Sequence, residues 1–328
     1  MDLWTNHATF PAMMALPQLR TVTRTQGNNE ALKTGEVTPR GFRFDFEEVP
    51  VLVHAFRRMV RGLEFDVSEM ALTTYLVAKA HGARFTAVPV FLVRGFHHGA
   101  IFHDPASDVR GPKDLQGRRV GVSRGYTVTT GVWARAVLRE EYGVDLDQVT
   151  WVLSGDEHVA EYRPPANVVP MEPGGSLEDM VLAGDLAAVI GPRPDSPALA
   201  PLIPDSQEAG FTALRERRLY PINHLIVIRD ELLEERPELG ELVFDAFARA
   251  KQLYVDRLRR GAIDSPTATD RMYRRVLETT GTDPLPYGME PNRAVLEELL
   301  RHAVDQRILD RPMPLDTLFA ESTRTLIA

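Results

Sequence analysis

Short apolar runs alternate with amphipathic stretches along nearly the whole chain. That alternation predicts stacked α/β layers rather than an all-α or all-β fold. Strands are expected at residues 19–23, 42–46, 65–67, 87–93 and 100–103, the fourth interrupted by Pro89, and helices at 51–61 and 71–80. From Asp114 a second α/β unit begins. The turn Gly117-Arg118-Arg119 leads into a strand at 120–122 and a helix at 129–142 closed by Gly143. Strands at 149–153 and 187–190 flank a short helix at 176–183. Pro192, Pro194, Pro197, Pro201 and Pro204 then mark a long irregular connection. A strand at 225–228 precedes two amphipathic helices, one with Leu239, Val243, Ala246, Phe247 and Ala250 at helical spacing, the other at 292–308.

This order describes a first lobe, an inserted lobe and a return. Residues 1–107 and 219–328 form the expected first lobe, with 1–18 as an N-terminal extension, and 108–218 the second. The 328 residues are enough for two separate cores. Two crossings imply a hinge and an inter-lobe cleft, and open α/β sheets bind ligands near the carboxyl ends of their strands.

Composition narrows the function. A net charge of −8 argues against nucleic acid as a partner. With no cysteine, disulfides, thiolate metal sites and cysteine nucleophiles are excluded. No segment reaches the ~18 apolar residues of a membrane span, so no membrane partner is expected. No Lys or Arg precedes Arg20, so the basic start of a secretory signal is missing and the expected location is the cytoplasm.

Two strand-to-helix junctions carry hydroxyls and helix-start amides suited to an anion: residues 68–74, with Ser68, Glu69, Thr73 and Thr74, and residues 123–130, with Ser123, Tyr126, Thr129 and Thr130. Each also reads as an ordinary N-cap; one per lobe is what a clamp requires. Arg94 is suited to a bidentate carboxylate contact or to a structural ion pair. His98, next to His97, and His224, next to Asn223, are candidate proton donors or hydrogen-bonded structural residues. Glu69, His97, His98, His103 and His224 are potential metal ligands, but none has a metal-motif spacing and no metal is assigned. Walker, dinucleotide and serine-elbow motifs are missing.

Taken in order from about residue 19 to 311, several segments resemble the 4,5-dihydroxyphthalate decarboxylase family. They are Glu64-Phe65-Asp66-Val67-Ser68-Glu69-Met70, Pro89-Val90-Phe91 with Arg94 and His98, and Asp114-Leu115-Gln116-Gly117-Arg118-Arg119-Val120-Gly121-Val122. Val132-Trp133-Ala134-Arg135, Glu141-Tyr142-Gly143-Val144, Pro221-Ile222-Asn223-His224 and Pro286-Tyr287-Gly288 complete the set. The chain departs from the family pattern at Thr25-Gln26-Gly27, where an acidic-aromatic-acidic patch is usual, and at His97, where arginine is usual.

The resemblance implies a type II periplasmic-binding-protein fold and a decarboxylase that needs no cofactor. A hydroxyl para to a carboxylate lets the ring take a proton at the carbon bearing that carboxylate, and loss of carbon dioxide restores aromaticity. On this reading Arg94 and the two helix starts orient the carboxylates of a small anionic substrate. His98, ahead of His224, is the acid, and Glu69 tunes it or holds a hydroxyl. The alternatives are a solute-binding protein for a small organic anion and a biosynthetic enzyme on the same scaffold. The apolar content of residues 1–18 suits an arm packed on a neighbouring subunit of a homo-oligomer.

Overall fold

The structure, a computed structural model, describes residues 16–328, so nearly all of the expected N-terminal arm lies outside the described residues. The first sheet is built by β1 (Gln18–Val22), β2 (Arg43–Phe46), β3 (Val67–Ala71), β4 (Phe85–Arg94) and β11 (Ile222–Arg229), in the order β2-β1-β3-β11-β4. The second contains β5 (Ile101–His103), β6 (Arg119–Val122), β7 (Thr150–Leu153), β8 (Val168–Pro170), β9 (Ala188–Ile190) and β10 (Ala200–Pro201), in the order β10-β5-β9-β6-β7-β8. Within the first, β1 runs parallel to β2 and β3, while the returning β11 is antiparallel to β3 and β4.

All five residues of β3 are buried, as expected of a strand covered on both faces. From Phe85 to Leu92, β4 is almost continuously apolar and buried. Its Pro89 falls where the β4–β11 register shifts, on the edge strand of the sheet, the setting in which proline removes no ladder bond. That edge is covered: Ala320 N–H donates to Ala87 O at 2.9 Å and Gly288 N–H to Pro89 O at 2.8 Å.

Helices close the layers: α1 (Glu30–Lys33), α2 (Leu52–Gly62), α3 (Leu72–Ala80), α4 (Thr129–Glu140), α5 (Leu177–Leu182), α6 (Ser206–Arg217), α7 (Asp230–Glu235), α8 (Leu239–Arg260), α9 (Ala268–Thr280) and α10 (Arg293–Asp305). The helix α8 buries Leu239, Val243, Ala246, Phe247, Ala250 and Val255, the apolar stripe visible in the sequence. The Leu, Val and Phe side chains contribute about 1.5–3 kcal/mol each when fully buried, and the alanines less. From the C-terminal region α10 reaches the second lobe and packs on α4. There Gln306 Nε2 donates to Val132 O at 3.0 Å, and buried Arg135 donates through Nε to Gln306 Oε1 at 2.8 Å. No helix among the described residues is long and apolar enough to cross a membrane.

Several local expectations need correction. Residues 101–103, assigned from sequence to the first lobe, join the second sheet: Ile101 pairs with Ile190 and Phe102 with Val189. The chain thus crosses between Arg94 and Ile101 rather than at residue 108. The strand expected at 65–67 lies at Val67–Ala71, so Ser68 and Glu69 are strand residues and not the start of a helix. Helices α6 and α9 were not anticipated. For α9 the signal was present: Thr267 and Asp270 form a capping box, and Gly281 closes the other end at φ 69°.

Candidate active site

A cavity of about 330 Å³ lies where residues of both lobes meet. Its first-lobe wall holds Arg24 just past β1, the entry to α2 at residues 49–53, Phe56, Ala71 at the end of β3, and Asn223 and His224 at the start of β11. Its second-lobe wall holds Arg124 just past β6, Val128, Thr129 and Thr130 at the start of α4, and His158 in the loop after β7. The carboxyl ends of parallel strands and the starts of α2, α3 and α4 therefore converge here. The residues preceding α2 and α4, Val51 and Val128, give no side-chain cap, and uncapped helix N-termini favour negative charge, whereas in the first turn of α3 the Thr73 amide is taken by Thr129 Oγ1.

Sheet register builds the first-lobe half. His224 lies opposite Ala71, and Ile226 opposite Glu69, so Glu69 is the diagonal neighbour of His224 on one face. The pairing of β11 with β4 shifts register on either side of His224, an irregularity of the kind that re-aims a side chain. His224 Nδ1 and Glu69 Oε1 are 2.6 Å apart. Glu69 is fully buried, and its Oε2 accepts the Arg24 backbone N–H at 2.9 Å. The buried carboxylate thereby fixes the imidazole through one nitrogen and leaves the other free of it.

The second-lobe half is braced by Glu157. Its carboxylate accepts from the backbone N–H groups of Tyr126 and Thr127 and from Thr127 Oγ1 at 2.6 Å. A side chain at Gly125 would meet that carboxylate and push Glu157 off these amides. These amides, expected to be open to an anion, are already occupied. Arg124 sits at φ 71°, a left-handed conformation that is strained for a non-glycine residue. Burial, and then the neighbouring Arg57 guanidinium, push the Arg124 guanidinium below its usual range. Among the described residues neither Arg24 nor Arg124 has a carboxylate partner for its side chain.

The lobes are latched around the cavity. Thr73 Oγ1 lies 2.8 Å from Thr129 Oγ1, and Thr73 N–H donates to the same oxygen at 3.1 Å. Thr74 Oγ1 lies 2.9 Å from His158 Nδ1. On α2, Arg57 and Arg61 pair with Asp156, and Arg61 also donates to the carbonyls of Glu157 and His158.

Of the residues singled out from sequence, Thr129, Thr130, Asn223 and His224 line the cavity, with Glu69 directly behind His224. Thr73 and Thr74 serve the inter-lobe contact. The others lie elsewhere. Ser68 Oγ donates to Glu69 O, Ser123 packs on Gly191, and the Tyr126 ring covers the Arg135 guanidinium at 3.8 Å. Arg94 is buried and donates to Asn292 Oδ1 at 2.7 Å and Tyr220 O at 2.6 Å. His98 is buried with Nε2 on the Glu141 carboxylate at 2.9 Å, and Arg217 holds the same carboxylate. Both side chains were expected at the ligand; their neighbours instead tie strand ends to helices. His97 is pushed down to about 3, first by burial, and bonds Asn223 Nδ2 at 3.0 Å. Thr25, Gln26 and Gly27 border a neighbouring cavity of about 610 Å³ that shares Arg24.

Arg24, Arg124 and His158 were missed. All three follow the carboxyl ends of strands that the sequence does reveal, a position that was signal enough to single them out.

No family model matches the chain. A relative from Comamonas testosteroni, 4,5-dihydroxyphthalate decarboxylase, is 30% identical over 262 residues, which cover 75% of this chain and 79% of that protein. A protein of the same name from Pseudomonas putida is 36% identical over 149 residues, 43% of this chain and 57% of its own. The periplasmic aliphatic sulphonate binding protein SsuA from Escherichia coli matches in structure with a TM-score of 0.50 at 11% identity, over 94% of this chain and 99% of that one. The desulfurization enzyme DSZB matches with a TM-score of 0.51 at 16% identity, over 93% and 96%. At these identities the structural likeness is one of fold, that of the periplasmic binding proteins.

Proposed function

The chain belongs to the 4,5-dihydroxyphthalate decarboxylase family, and from that premise we propose that its inter-lobe cavity removes one carboxylate from a hydroxylated aromatic dicarboxylic acid of that kind. One observation carries the reading. Two guanidiniums without carboxylate partners among the described residues, one from each lobe, share a cavity with an imidazole held by a buried carboxylate. Arg24 and Arg124 take the two carboxylates of the substrate, and a dianion therefore draws the lobes together. The apolar wall of Val51, Leu52, Phe56 and Ala71 takes the ring and keeps water from it.

His224 is the acid. It gives a proton to the ring carbon that bears the departing carboxylate. The carbon–carbon bond then breaks, its electron pair returns to the ring, and carbon dioxide leaves. Glu69 holds the imidazole in place through that step. The hydroxyl para to the carboxylate stabilises the protonated ring, so the chemistry requires no organic electron sink. Support for His224 over His98 is positional: His224 lines the cavity, while His98 is committed to Glu141.

The test is carbon dioxide release from 4,5-dihydroxyphthalate, its monohydroxylated analogues and phthalate. Release is expected from substrates with a hydroxyl para to a carboxylate and not from phthalate. Tight binding of all of them without release from any would identify a binding protein and overturn the proposal.

A further inference from the structure

Resting on the decarboxylation just described, we infer that His158 is a second catalytic residue, a base that accepts the proton of the ring hydroxyl para to the departing carboxylate. His158 comes from the lobe opposite His224, and both line the same cavity. Both imidazoles stand edge-on to the Phe56 ring, with centroids at 6.0 Å for His158 and 5.3 Å for His224. Both imidazoles thus pack against one aromatic ring on the wall of one cavity, the acid from one lobe and the base from the other.

The hydrogen bonds of His158 leave a nitrogen for the task. Nδ1 is taken by Thr74 Oγ1 at 2.9 Å, whereas Nε2 is buried with no partner among the described residues. Buried polar atoms are rarely left unpaired in folded proteins, and one on the wall of a binding cavity is an acceptor in wait of a donor. With Nδ1–H directed to Thr74, Nε2 carries the lone pair. The two imidazoles also have opposite surroundings, a hallmark of acid and base assignments. His224 has a carboxylate as neighbour. Around His158 stand Arg57 and Arg61 of α2 and Arg124 after β6, opposed by Asp156 of its own loop. Burial first, then these guanidiniums, push His158 down to about 4, which keeps it neutral near pH 7.

A base this weak will not ionise a phenol, and it does not have to. Once His224 has protonated the ring carbon, the para hydroxyl belongs to a cation and is a strong acid. Its proton passes to His158 Nε2 and a neutral dienone remains. When the carbon–carbon bond breaks, the electron pair restores the ring, the oxygen recovers its proton from His158, and carbon dioxide leaves. The net change is one proton consumed, through His224, for each carboxylate lost. Thr74 is then a positioning residue, since its hydroxyl holds the imidazole through Nδ1.

The experiment compares wild type with His158→Phe, which keeps an aromatic ring, and Thr74→Val, in carbon dioxide release from 4,5-dihydroxyphthalate across pH 4–8 and in phthalate binding. For His158→Phe we expect kcat to fall about 100-fold or more with phthalate affinity within about threefold. The acid limb of kcat attributable to His158, near pH 4 in the wild type, should vanish. Thr74→Val should lower kcat by a smaller factor at unchanged phthalate affinity. A wild type that releases carbon dioxide alongside a His158→Phe variant retaining a third or more of its kcat overturns the role of His158 alone. So does a loss that appears wholly in phthalate binding. A wild type that releases none overturns the decarboxylase reading and this inference with it.

Discussion

Arg124 is strained and has no carboxylate partner among the described residues, so replacing it should make the protein more stable and less able to bind. An L-residue held in the left-handed region costs about 1–2 kcal/mol. Glycine removes that cost but gives back about 0.5–1 kcal/mol through the entropy of a freer unfolded chain. Alanine removes the guanidinium and keeps the strain. With φ at 71°, Arg124→Gly should therefore exceed Arg124→Ala in stability by about 0.5–1 kcal/mol. Both variants lose the same charge-assisted hydrogen bonds to a substrate carboxylate, worth about 1.5–3 kcal/mol. Phthalate should consequently bind about 10- to 150-fold more weakly to either one. Urea unfolding monitors the first quantity and calorimetric titration with phthalate the second, with benzoate as the one-carboxylate control. If each guanidinium holds one carboxylate, the loss of either Arg24 or Arg124 to alanine should bring phthalate affinity to about that of benzoate for the wild type, and the loss of both should bring it lower still. A glycine variant no more stable than the alanine variant refutes the strain argument. Phthalate binding unchanged in both variants refutes the role of Arg124 as a carboxylate ligand.

Glu69→Gln keeps the shape of the side chain but loses the charge that holds His224; kcat for carbon dioxide release should fall about 100-fold with the fold intact by circular dichroism. Arg94→Met leaves Asn292 Oδ1 and Tyr220 O without their donor, and should cost about 2–4 kcal/mol in urea unfolding while phthalate affinity stays within about twofold. His98→Gln should likewise lower stability, by about 1–3 kcal/mol, and leave kcat within a few-fold. Stability should also depend on pH through His97 and His158, pushed down by burial to about 3 and about 4. Between those values and ~6.5 the unfolded chain binds more protons than the folded one, so their contribution is complete above ~6.5 and declines as pH falls. Lowering pH from 7.5 to 5 should cost on the order of 2 kcal/mol for each histidine, and His97→Phe should flatten the curve.

The legible parts of the sequence share one property: they rest on residues near one another in the chain. The stripe of Leu239, Val243, Ala246, Phe247 and Ala250 marked α8 because a helix brings those positions to one face without help. The apolar run at 87–93 marked β4 despite Pro89. Less legible was α9, where the charged and polar surface of a thirteen-residue helix masked a capping box that was nonetheless present. The segment 101–103 was assigned to the wrong sheet because pairing with β9 depends on residues some ninety positions later. In the site, Thr129, Thr130, Asn223 and His224 were legible as polar residues at element ends. Arg124 was passed over inside a segment read for its hydroxyls, and Arg24 and His158 lay in turns that no motif marked.

The sequence by itself determined the layers, the return of the chain to its first sheet and the polar residues available at strand ends, because periodicity and turn chemistry act over a few residues. Only the tertiary structure decided which of those polar groups share a cavity. Arg94 and Arg124 are the same residue type, each just past or at the end of a strand, yet the first meets Asn292 and Tyr220 and the second meets no acid among the described residues. His98 and His224 both meet a carboxylate, but only the one set by the register of β11 against β3 faces the cleft between lobes. Register and lobe packing are properties of long-range pairing. The partner that turns an arginine into a brace, or leaves it open for a ligand, comes from a distant part of the chain.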